Sequence, residues 1–453
     1  MTTSPSGQSD TATDTPTATQ SLAESEVVQL CSELIRIPSV NTGDPATIGD
    51  GEALAAKYIQ QKLDEVGYET HYVEAAPGRG NVVCRLKGAD PSRGALLIHG
   101  HVDVVPADPT EWQVDPFSGA IQDGYVWGRG AVDMKDMVAM TVAVARELKR
   151  NTVVPPRDLI FAFVSDEEAG GFHGAGWLVE NHPEWFAGAT EAISEVGGFS
   201  MTLENEKRAY LVASAEKGIA WATLTAHGRA GHGSMANDDN AVSKLAAAVA
   251  RLGSYQFPLH RTATLDAFLV AITELTGLQF PDDDLEGAVR KLGPISRLVL
   301  ATLRNTANPT MLTAGYKANV IPSTAKAAVD CRVLPGTAAE FKEKVAEIVG
   351  ADIDIEWVEA PALEYPFSGS LVEAMKAALA VEDPDGVAIP YVLSGGTDNK
   401  AFSELGIVGY GFSPLRLPPD LDFTALFHGV DERVPIDALT FGTRVLTRLL
   451  TTC

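Results

Sequence analysis

The sequence predicts an α/β protein in which a mixed, doubly wound sheet carries helices on both faces and a compact α+β unit interrupts the chain. Strand-like apolar runs alternate with amphipathic helical segments from Leu22 to about residue 216, and the alternation resumes near residue 361. Between these parts the chain carries two strand–helix–strand patterns of its own. We therefore predict one domain built from 22–216 and 361–453, with an inserted domain at 217–360.

The elements of the first domain follow from the spacing of apolar residues, which recur at helical or alternating positions. Helices are predicted at 24–35, 52–66, 133–150, 175–181, 370–380 and 435–451, and strands at 69–74, 81–86, 95–98, 159–164, 192–194 and 407–412. Asp133 stands where an acidic residue would cap the third helix. In sheets of this kind, active sites form beyond the carboxyl ends of the strands.

The inserted domain is predicted to contain two helices and four strands. The strands are expected at 218–226, 310–315, 326–333 and 353–358, and the helices at 239–252 and 337–348. The segment 259–308 is longer than an ordinary connection and has helical patterns, so we interpret it as a helical elaboration of the inserted domain.

The composition is that of an ordinary soluble enzyme. The 453 residues are 45% hydrophobic and 21% charged, and the net charge is −25. This acidity argues against binding to nucleic acid or to an anionic membrane face. No apolar stretch reaches the ~18–20 residues needed to cross a bilayer. We expect a cytoplasmic protein without nucleic-acid or membrane partners.

The cysteines and the N-terminal segment give two further expectations. Cys31, Cys84, Cys331 and Cys453 lack the close spacing of a zinc knuckle or a redox pair, which fits a reducing compartment, and Cys84 and Cys331 are predicted to be buried. Residues 1–21 are rich in Thr, Ser, Ala and Pro, without the basic and apolar regions of a secretory signal. We predict a disordered tail there.

Five scattered residues are candidate metal ligands: His101, Asp133, Glu168, Glu195 and His428. Three of them follow strand-like runs, so distant parts of the chain each deliver a ligand to the end of a strand. Two imidazoles and three carboxylates suit a pair of Zn²⁺ ions that share one bridging carboxylate. Taken singly, these residues have ordinary explanations, since Asp133 can be a helix cap and a Glu–Glu pair can be an exposed acidic loop.

Two neighbouring carboxylates would complete the chemistry. Asp103 stands two residues after His101 and can hold the second imidazole nitrogen. Glu167 and Glu168 follow a very apolar strand, and burying adjacent carboxylates is costly unless positive charge compensates. Glu168 can then bind metal, while Glu167 takes a proton from the attacking water and passes it to the leaving amine.

These residues lie in a series of motifs that resembles peptidase family M20, the metallohydrolases that include aminoacylases, deacylases and carboxypeptidases. In chain order, the motifs are His-Val-Asp-Val-Val-Pro at 101–106, Asp-Pro-Phe at 115–117, Gly-Arg-Gly-Ala-Val-Asp-Met-Lys at 128–135, Asp-Glu-Glu at 166–168, Glu195, Gly-His-Gly-Ser at 231–234, Asn-Val-Ile-Pro at 319–322, Gly-Gly-Thr-Asp at 395–398 and His-Gly at 428–429. The resemblance implies a zinc-exopeptidase-like catalytic domain and a ferredoxin-like inserted domain that serves as a lid or a dimerisation surface.

The resemblance also implies a role for each motif residue. His101 and Glu195 share one Zn²⁺, Glu168 and His428 share the other, Asp133 bridges them, and Co²⁺ can substitute. Asp103 orients His101, and Glu167 is the general base and acid. His232 polarises the scissile carbonyl, often across a dimer interface, although a Gly-flanked His can also simply close a turn. The residues implied to contact substrate are Asn319, Arg332, Gly395, Gly396 and Thr397.

The sequence therefore predicts a hydrolase that cleaves the amide bond of an N-acyl amino acid or a short peptide. The oligomeric state stays open, although the resemblance implies an inserted domain of a kind that often joins two chains into a homodimer. A dipeptidase, a carboxypeptidase or an aminopeptidase with the same two-metal chemistry is an alternative. A metal-stabilised binding protein without catalysis is another. His232, Asn319 and Arg332 favour a substrate with a carboxylate over an aminopeptidase substrate, and Glu167 argues against an inert binding protein.

Overall fold

The computed structural model describes residues 21–203 and 206–453, and its largest feature is a mixed sheet between two layers of helices. The tail predicted to be disordered, residues 1–21, lies outside the described residues except for Ser21. The Ser21 hydroxyl accepts a hydrogen bond from Glu24 N, and the Glu24 carboxylate accepts one from Ser21 N. Ser21 therefore belongs to a capping box that begins the first helix.

The strands and helices are numbered here in chain order. The strands are β1 (Thr70–Glu74), β2 (Gly80–Leu86), β3 (Ala95–His101), β4 (Ile121–Gln122), β5 (Tyr125–Trp127), β6 (Leu159–Val164), β7 (Ala189–Ser194), β8 (Phe199–Thr202), β9 (Arg208–Glu216), β10 (Gly218–His227), β11 (Gly231–His232), β12 (Thr306–Ala314), β13 (Val320–Ile321), β14 (Thr324–Val333), β15 (Ile353–Ala360), β16 (Leu363–Glu364), β17 (Gly386–Leu393), β18 (Val408–Gly411) and β19 (Arg433–Pro435). The helices are α1 (Leu22–Ile35), α2 (Gly51–Asp64), α3 (Lys135–Arg150), α4 (Ala175–Asn181), α5 (Ala241–Ser254), α6 (Ala263–Thr276), α7 (Leu285–Arg290), α8 (Ser296–Leu300), α9 (Ala338–Val349), α10 (Ser370–Glu382), α11 (Asn399–Ser403) and α12 (Ile436–Thr452).

The main sheet has the strand order β1-β2-β6-β3-β7-β18-β9-β16, and β8 and β17 also pair with β9. The four consecutive strands β6, β3, β7 and β18 are parallel to one another. Alternate residues of β3 enter different cores: Leu96 and Ile98 lie in the cluster of α1, α3 and α12, whereas Ala95 and Leu97 lie in the cluster of α4 and α11. Both faces of the sheet are therefore buried, which confirms the predicted mixed α/β fold.

A second sheet has the order β12-β14-β10-β15 and is antiparallel throughout. Its parts follow one another as β10, α5, β12, β14, α9 and β15, which is the βαββαβ order of ferredoxin-like folds. Leu245 of α5 and Phe341 of α9 share a core with Leu224 and Val329 of the strands. The chain leaves the main sheet after β9 and returns to it at β16, so Lys217 and Pro361 lie at the junction.

The helices of segment 259–308 differ from the prediction, because they pack on the main sheet and not on the second one. Helix α6 lies against β17, and its Phe268, Leu269 and Ile272 are buried in the same cluster as Leu211 and Ile389 of the main sheet. Because the segment follows α5 along the chain, we assigned it to the inserted domain, which contains the second sheet. Its apolar face instead covers the part of the main sheet around β9 and β17.

Strands β9 and β17 and the start of α3 also depart from the prediction. Strands β9 and β10 are separated only by Lys217, so the sequence shows one long apolar run of which we predicted only the second half. Strand β17 was not predicted and contains Pro390, a residue type that is uncommon in strands, but among the described strands β17 pairs only with β9 and can accept a proline at an edge. Helix α3 begins at Lys135, and the Asp133 side chain does not cap it.

The burial of the cysteines agrees with the expectation from the sequence. All four cysteines are buried free thiols, as predicted for Cys84 and Cys331. Burial raises the pKa of Cys331 to about 12, so its reactive thiolate form is suppressed. Across residues 21–203 and 206–453, every helix is too short or too polar to serve as a bilayer span.

Candidate metal centre

The five candidate ligands converge beyond the carboxyl ends of the main-sheet strands. His101 is the last residue of β3, Glu168 lies in the 3-10 turn after β6, and Glu195 directly follows β7. Because β6, β3 and β7 are adjacent and parallel, their carboxyl ends bring these three side chains together. Asp133 reaches the same place from the turn before α3, and His428 reaches it from the loop before β19.

Asp133 lies between two pairs of candidate ligands. Its Oδ1 is 3.0 Å from His101 Nε2, and its Oδ2 is 3.3 Å from His428 Nε2. His101 Nε2 is also 3.4 Å from Glu195 Oε2, and His428 Nε2 is 3.1 Å from Glu168 Oε2. The two oxygens of one carboxylate thus each face a different imidazole–carboxylate pair.

The charges and polar atoms of this cluster fit a pair of divalent cations. Burial disfavours a charged His101 ring, but carboxylates led by Glu195 outweigh burial and hold the pKa of His101 well above its ordinary value. Hydrogen bonds with Asp133 and Glu168 raise the pKa of His428 to about 10. The buried Glu168 Oε1 has no hydrogen-bond partner among the described residues. Imidazole nitrogens and carboxylate oxygens are the ligands that Zn²⁺ and related ions prefer, and a cation would satisfy this oxygen.

Glu167 lies beside the candidate ligands. A carboxylate oxygen of Glu167, a ring nitrogen of His101 and a carboxylate oxygen of Glu195 lie within 4.8 Å of one another. Burial, together with the nearby charge of Glu195, raises the pKa of Glu167 well above its ordinary value. A carboxyl group with a raised pKa can both accept and donate a proton near neutral pH, as general acid–base catalysis requires.

Asp103 contacts both His101 and the Glu167–Glu168 turn. His101 Nδ1 is 3.0 Å from the backbone oxygen of Asp103 and 3.4 Å from its carboxylate Oδ1. The same carboxylate accepts hydrogen bonds from Glu167 N at 3.1 Å and from Glu168 N at 3.0 Å. Asp103 therefore positions the imidazole on one side and the backbone of the two glutamates on the other.

A buried polar network behind this turn carried no signal in the sequence. Asn41 Nδ2 donates to Asp103 Oδ2 at 3.0 Å and to Asp166 Oδ1 at 3.1 Å. Arg79 donates to Asn41 Oδ1 and pairs with Glu52, whose other oxygen accepts from Asp166 N. Asp166 has a φ of +69°, so these hydrogen bonds hold a strained residue in the turn. The partners are 27 to 125 positions apart, and no local spacing could have revealed them.

A cavity of about 450 Å³ opens beside the cluster. The predicted site residues that line it are Glu167, Glu168, Arg332, Gly395, Gly396, Thr397 and His428. Arg332 donates two hydrogen bonds to Asp330, at 2.7 and 3.2 Å, and its guanidinium lies 6.0 Å from the Trp221 ring. A larger groove of about 1380 Å³ around Arg416 and Phe441 contains none of the predicted site residues, so we place the candidate active site in the smaller cavity.

His232 and Asn319 lie apart from this cavity, since neither is among the described residues that line it. Both are exposed, and they are neighbours at the small antiparallel sheet of β11 and β13, where Gly233 N donates to Asn319 O at 2.9 Å. His232 Nδ1 is 2.8 Å from Ser234 Oγ. A single chain thus groups these two residues with each other and not with the candidate metal ligands.

Comparison with known proteins gives a family and several relatives. The model of peptidase family M20/M25/M40 matches residues 97–452. The N-fatty-acyl-amino acid synthase/hydrolase PM20D1 of Bos taurus is 29% identical over 424 residues, which cover 89% of this chain and 83% of the relative. Aminoacylase-1 of Sus scrofa is 28% identical over 414 residues, which cover 87% of this chain and 89% of the relative.

Solved structures share the fold at low sequence identity. The dipeptidase Dug1p from Saccharomyces cerevisiae has a TM-score of 0.70 at 17% identity, covering 95% of this chain and 98% of its own. The M20 family metallo-carboxypeptidase Sso-CP2 from Sulfolobus solfataricus has a TM-score of 0.70 at 19% identity, covering 94% and 98%. Because the family model matches most of the sequence, the protein belongs to peptidase family M20/M25/M40, as its motifs predicted, and is an amidohydrolase.

Proposed function

We propose that the protein is a dinuclear Zn²⁺ hydrolase that cleaves the amide bond of an N-acyl amino acid or a short peptide. The observation that carries this proposal is the position of Asp133, whose two oxygens face His101 and His428 separately. A helix cap or an exposed acidic loop has no need of this arrangement, whereas a hydrolytic site with two cations does. Membership of a peptidase family supports the same chemistry.

In this assignment, His101 and Glu195 would hold one Zn²⁺, His428 and Glu168 would hold the other, and Asp133 would be shared by both. When bound, the ions would polarise the scissile carbonyl and lower the pKa of the attacking water. Nitrogen and carboxylate ligands also suit Co²⁺, so Co²⁺ should replace Zn²⁺ with activity retained.

Glu167 is the proposed general base and acid. Its carboxylate accepts a proton from the attacking water, and the same proton then passes to the leaving nitrogen. The raised pKa of Glu167 supports both transfers, because a stronger base takes the first proton more readily and still releases it to an amine. Asp103 keeps Glu167 in position by accepting its backbone N–H.

Arg332 and the turn 395–397 are the proposed binding site for a substrate carboxylate. The planar guanidinium of Arg332 presents two N–H groups in parallel, which matches the two oxygens of a carboxylate. Arg332 pairs with Asp330, and a substrate carboxylate would share or replace this contact. N-acyl amino acids are the first candidate substrates, because the names of two relatives refer to acylated amino acids. Short peptides are the second candidate substrates, because they contain the same amide group.

We further propose that the second sheet joins two chains, so that His232 and Asn319 of one chain complete the site of the other. Strand β12 is an edge strand of that sheet, and its Met311 and Leu312 side chains are 65% and 62% exposed. Exposed apolar side chains on a free strand edge are typical of an interface. His232 would then stabilise the oxyanion that forms on the scissile carbonyl oxygen.

The hydrolase proposal is tested by kcat/KM for N-acetyl, N-succinyl and N-carbamoyl amino acids and for dipeptides, with Zn²⁺ present. Glu167→Gln should lower kcat by about 10²–10⁴-fold, as expected for a lost general base, and should keep two metal ions per chain by elemental analysis. Glu184→Gln, at an exposed position, is the matched control and should retain full activity. Full activity after exhaustive chelation, or a wild-type kcat in Glu167→Gln, would refute the mechanism.

The shared-site proposal is tested by mixing two inactive variants, Glu167→Gln and His232→Ala, after dissociation and reassembly. Each hybrid dimer would contain one site with both wild-type groups, so an equal mixture should recover roughly a quarter of the wild-type activity by two-fold symmetry. Light scattering gives the oligomeric state directly. A monomer in solution, or no recovery on mixing, would refute the exchange of His232.

A further inference from the structure

We infer that Glu432 is a positioning residue that fixes the bridging carboxylate of Asp133 relative to His428. The inference rests on the two-metal site proposed above. Glu432 belongs neither to the five candidate ligands nor to the residues that line the site cavity. Its side chain is completely buried, next to the loop that presents Asp133.

Both oxygens of Glu432 are saturated by donors from that loop. Oε1 accepts hydrogen bonds from Val132 N at 2.7 Å and from Asp133 N at 3.1 Å. Oε2 accepts from Arg129 Nη1 at 2.7 Å and from Gly130 N at 3.1 Å. One carboxylate thus accepts hydrogen bonds from the backbone N–H groups of Gly130, Val132 and Asp133, the last of which is the proposed bridging residue.

The same contacts join this loop to the chain segment that carries His428. Gly128 N donates to the backbone oxygen of Glu432 at 2.9 Å, and Arg129 Nη2 donates to the backbone oxygen of His428 at 3.4 Å. Arg129 is itself buried, with its guanidinium 5.2 Å from the Trp112 ring. Asp133 and His428 are far apart along the chain, yet the hydrogen bonds of Glu432 and Arg129 join the two segments that carry them.

This arrangement matters because Asp133 has to serve two cations at once. Its Oδ2 faces His428 Nε2 at 3.3 Å, and a small rotation of the loop would move Oδ1 and Oδ2 together, weakening both metal sites. Groups that orient metal ligands typically account for a 10–100-fold change in metal affinity or activity. Glutamine cannot replace Glu432 here, because its amide nitrogen would face two N–H donors and Arg129 would lose its buried counter-charge.

The test is the affinity of the metal-free, full-length protein for Zn²⁺ and Co²⁺, measured by competition with a chromogenic chelator. Glu432→Gln should bind both ions about 10–100-fold more weakly, and the visible absorption spectrum of its Co²⁺ form should change. Asp383→Asn is the matched control, since Asp383 is also a buried carboxylate with an arginine partner, Arg208, but lies away from the site. It should lower the thermal midpoint and leave metal affinity unchanged.

Arg129→Lys provides a second variant in case Glu432→Gln does not fold. Lysine keeps the positive charge but cannot donate to both the Glu432 carboxylate and the backbone oxygen of His428, as the two guanidinium nitrogens of Arg129 do. The ion that His428 would hold should therefore be released first during chelation. Wild-type affinity and an unchanged Co²⁺ spectrum in either folded variant would overturn the inference. A wild-type protein that binds no metal would instead refute the proposed function on which the inference rests.

Discussion

Asp103→Asn tests the link between the two halves of the candidate site. Asp103 Oδ1 accepts Glu167 N, and Oδ2 accepts Glu168 N and Asn41 Nδ2. Asparagine offers one oxygen, so at least one of these hydrogen bonds is lost and a buried N–H faces the new amide. A hydrogen bond to a charged group contributes ~1.5–3 kcal/mol, and an unpaired buried donor costs ~1–3 kcal/mol, so the free energy of unfolding should fall by about 2.5–6 kcal/mol.

The same substitution should lower kcat by about 10–100-fold, because the turn that carries the proposed general base loses hydrogen bonds that hold it in place. The assays are the thermal unfolding midpoint and kcat with saturating substrate and Zn²⁺. Asp158→Asn is the matched control: Asp158 accepts Gly88 N at 2.8 Å and pairs with Arg85, at the opposite end of β6. The control should lose stability and keep kcat. If Asp103→Asn loses stability but retains wild-type kcat and metal content, the reasoning fails.

Three further outcomes follow from the structure. Arg332→Ala should raise KM by about 10–100-fold for substrates with a free carboxylate, which corresponds to the loss of hydrogen bonds between charged groups. An equal rise in KM for amidated substrates would refute a contact between Arg332 and the substrate carboxylate. Burial lowers the pKa of Lys217 to about 8, below the value of about 10.4 in the unfolded chain. Because the unfolded chain keeps this proton between about pH 8 and 10.4 while the folded protein loses it, the free energy of unfolding of the wild type should rise relative to Lys217→Met over that range. A flat difference in unfolding midpoint across that range would contradict the shift. Phe268→Ala should cost about 3–5 kcal/mol of stability, and an unchanged unfolding midpoint would contradict the packing of α6 on the main sheet.

The candidate ligands could be predicted because strand ends mark them in the sequence. His101, Glu168 and Glu195 each come at or just after a short apolar run, and parallel strands place such positions side by side. Asp133 and His428 come from a turn and a loop, where no periodicity helps, so only their residue types and the motif series pointed to them. The helix-capping alternative for Asp133 is not what the structure contains.

The supporting residues could not be predicted because their partners are remote in sequence. Asn41, Arg79 and Glu432 contact site loops up to 303 positions away, and an isolated Asn, Arg or Glu has no pattern that marks it as buried. The same limit explains the error over segment 259–308. Its amphipathic helices could be recognised, but an apolar face does not state which of two sheets it will cover.

The chain order of the candidate ligands has a consequence for biosynthesis. The inserted domain separates His428 from the other four candidate ligands, so these four are synthesised well before it. The proposed centre is therefore complete only after the segment around His428 has left the ribosome, and a fragment that stops short of this segment carries at most four of the five ligands.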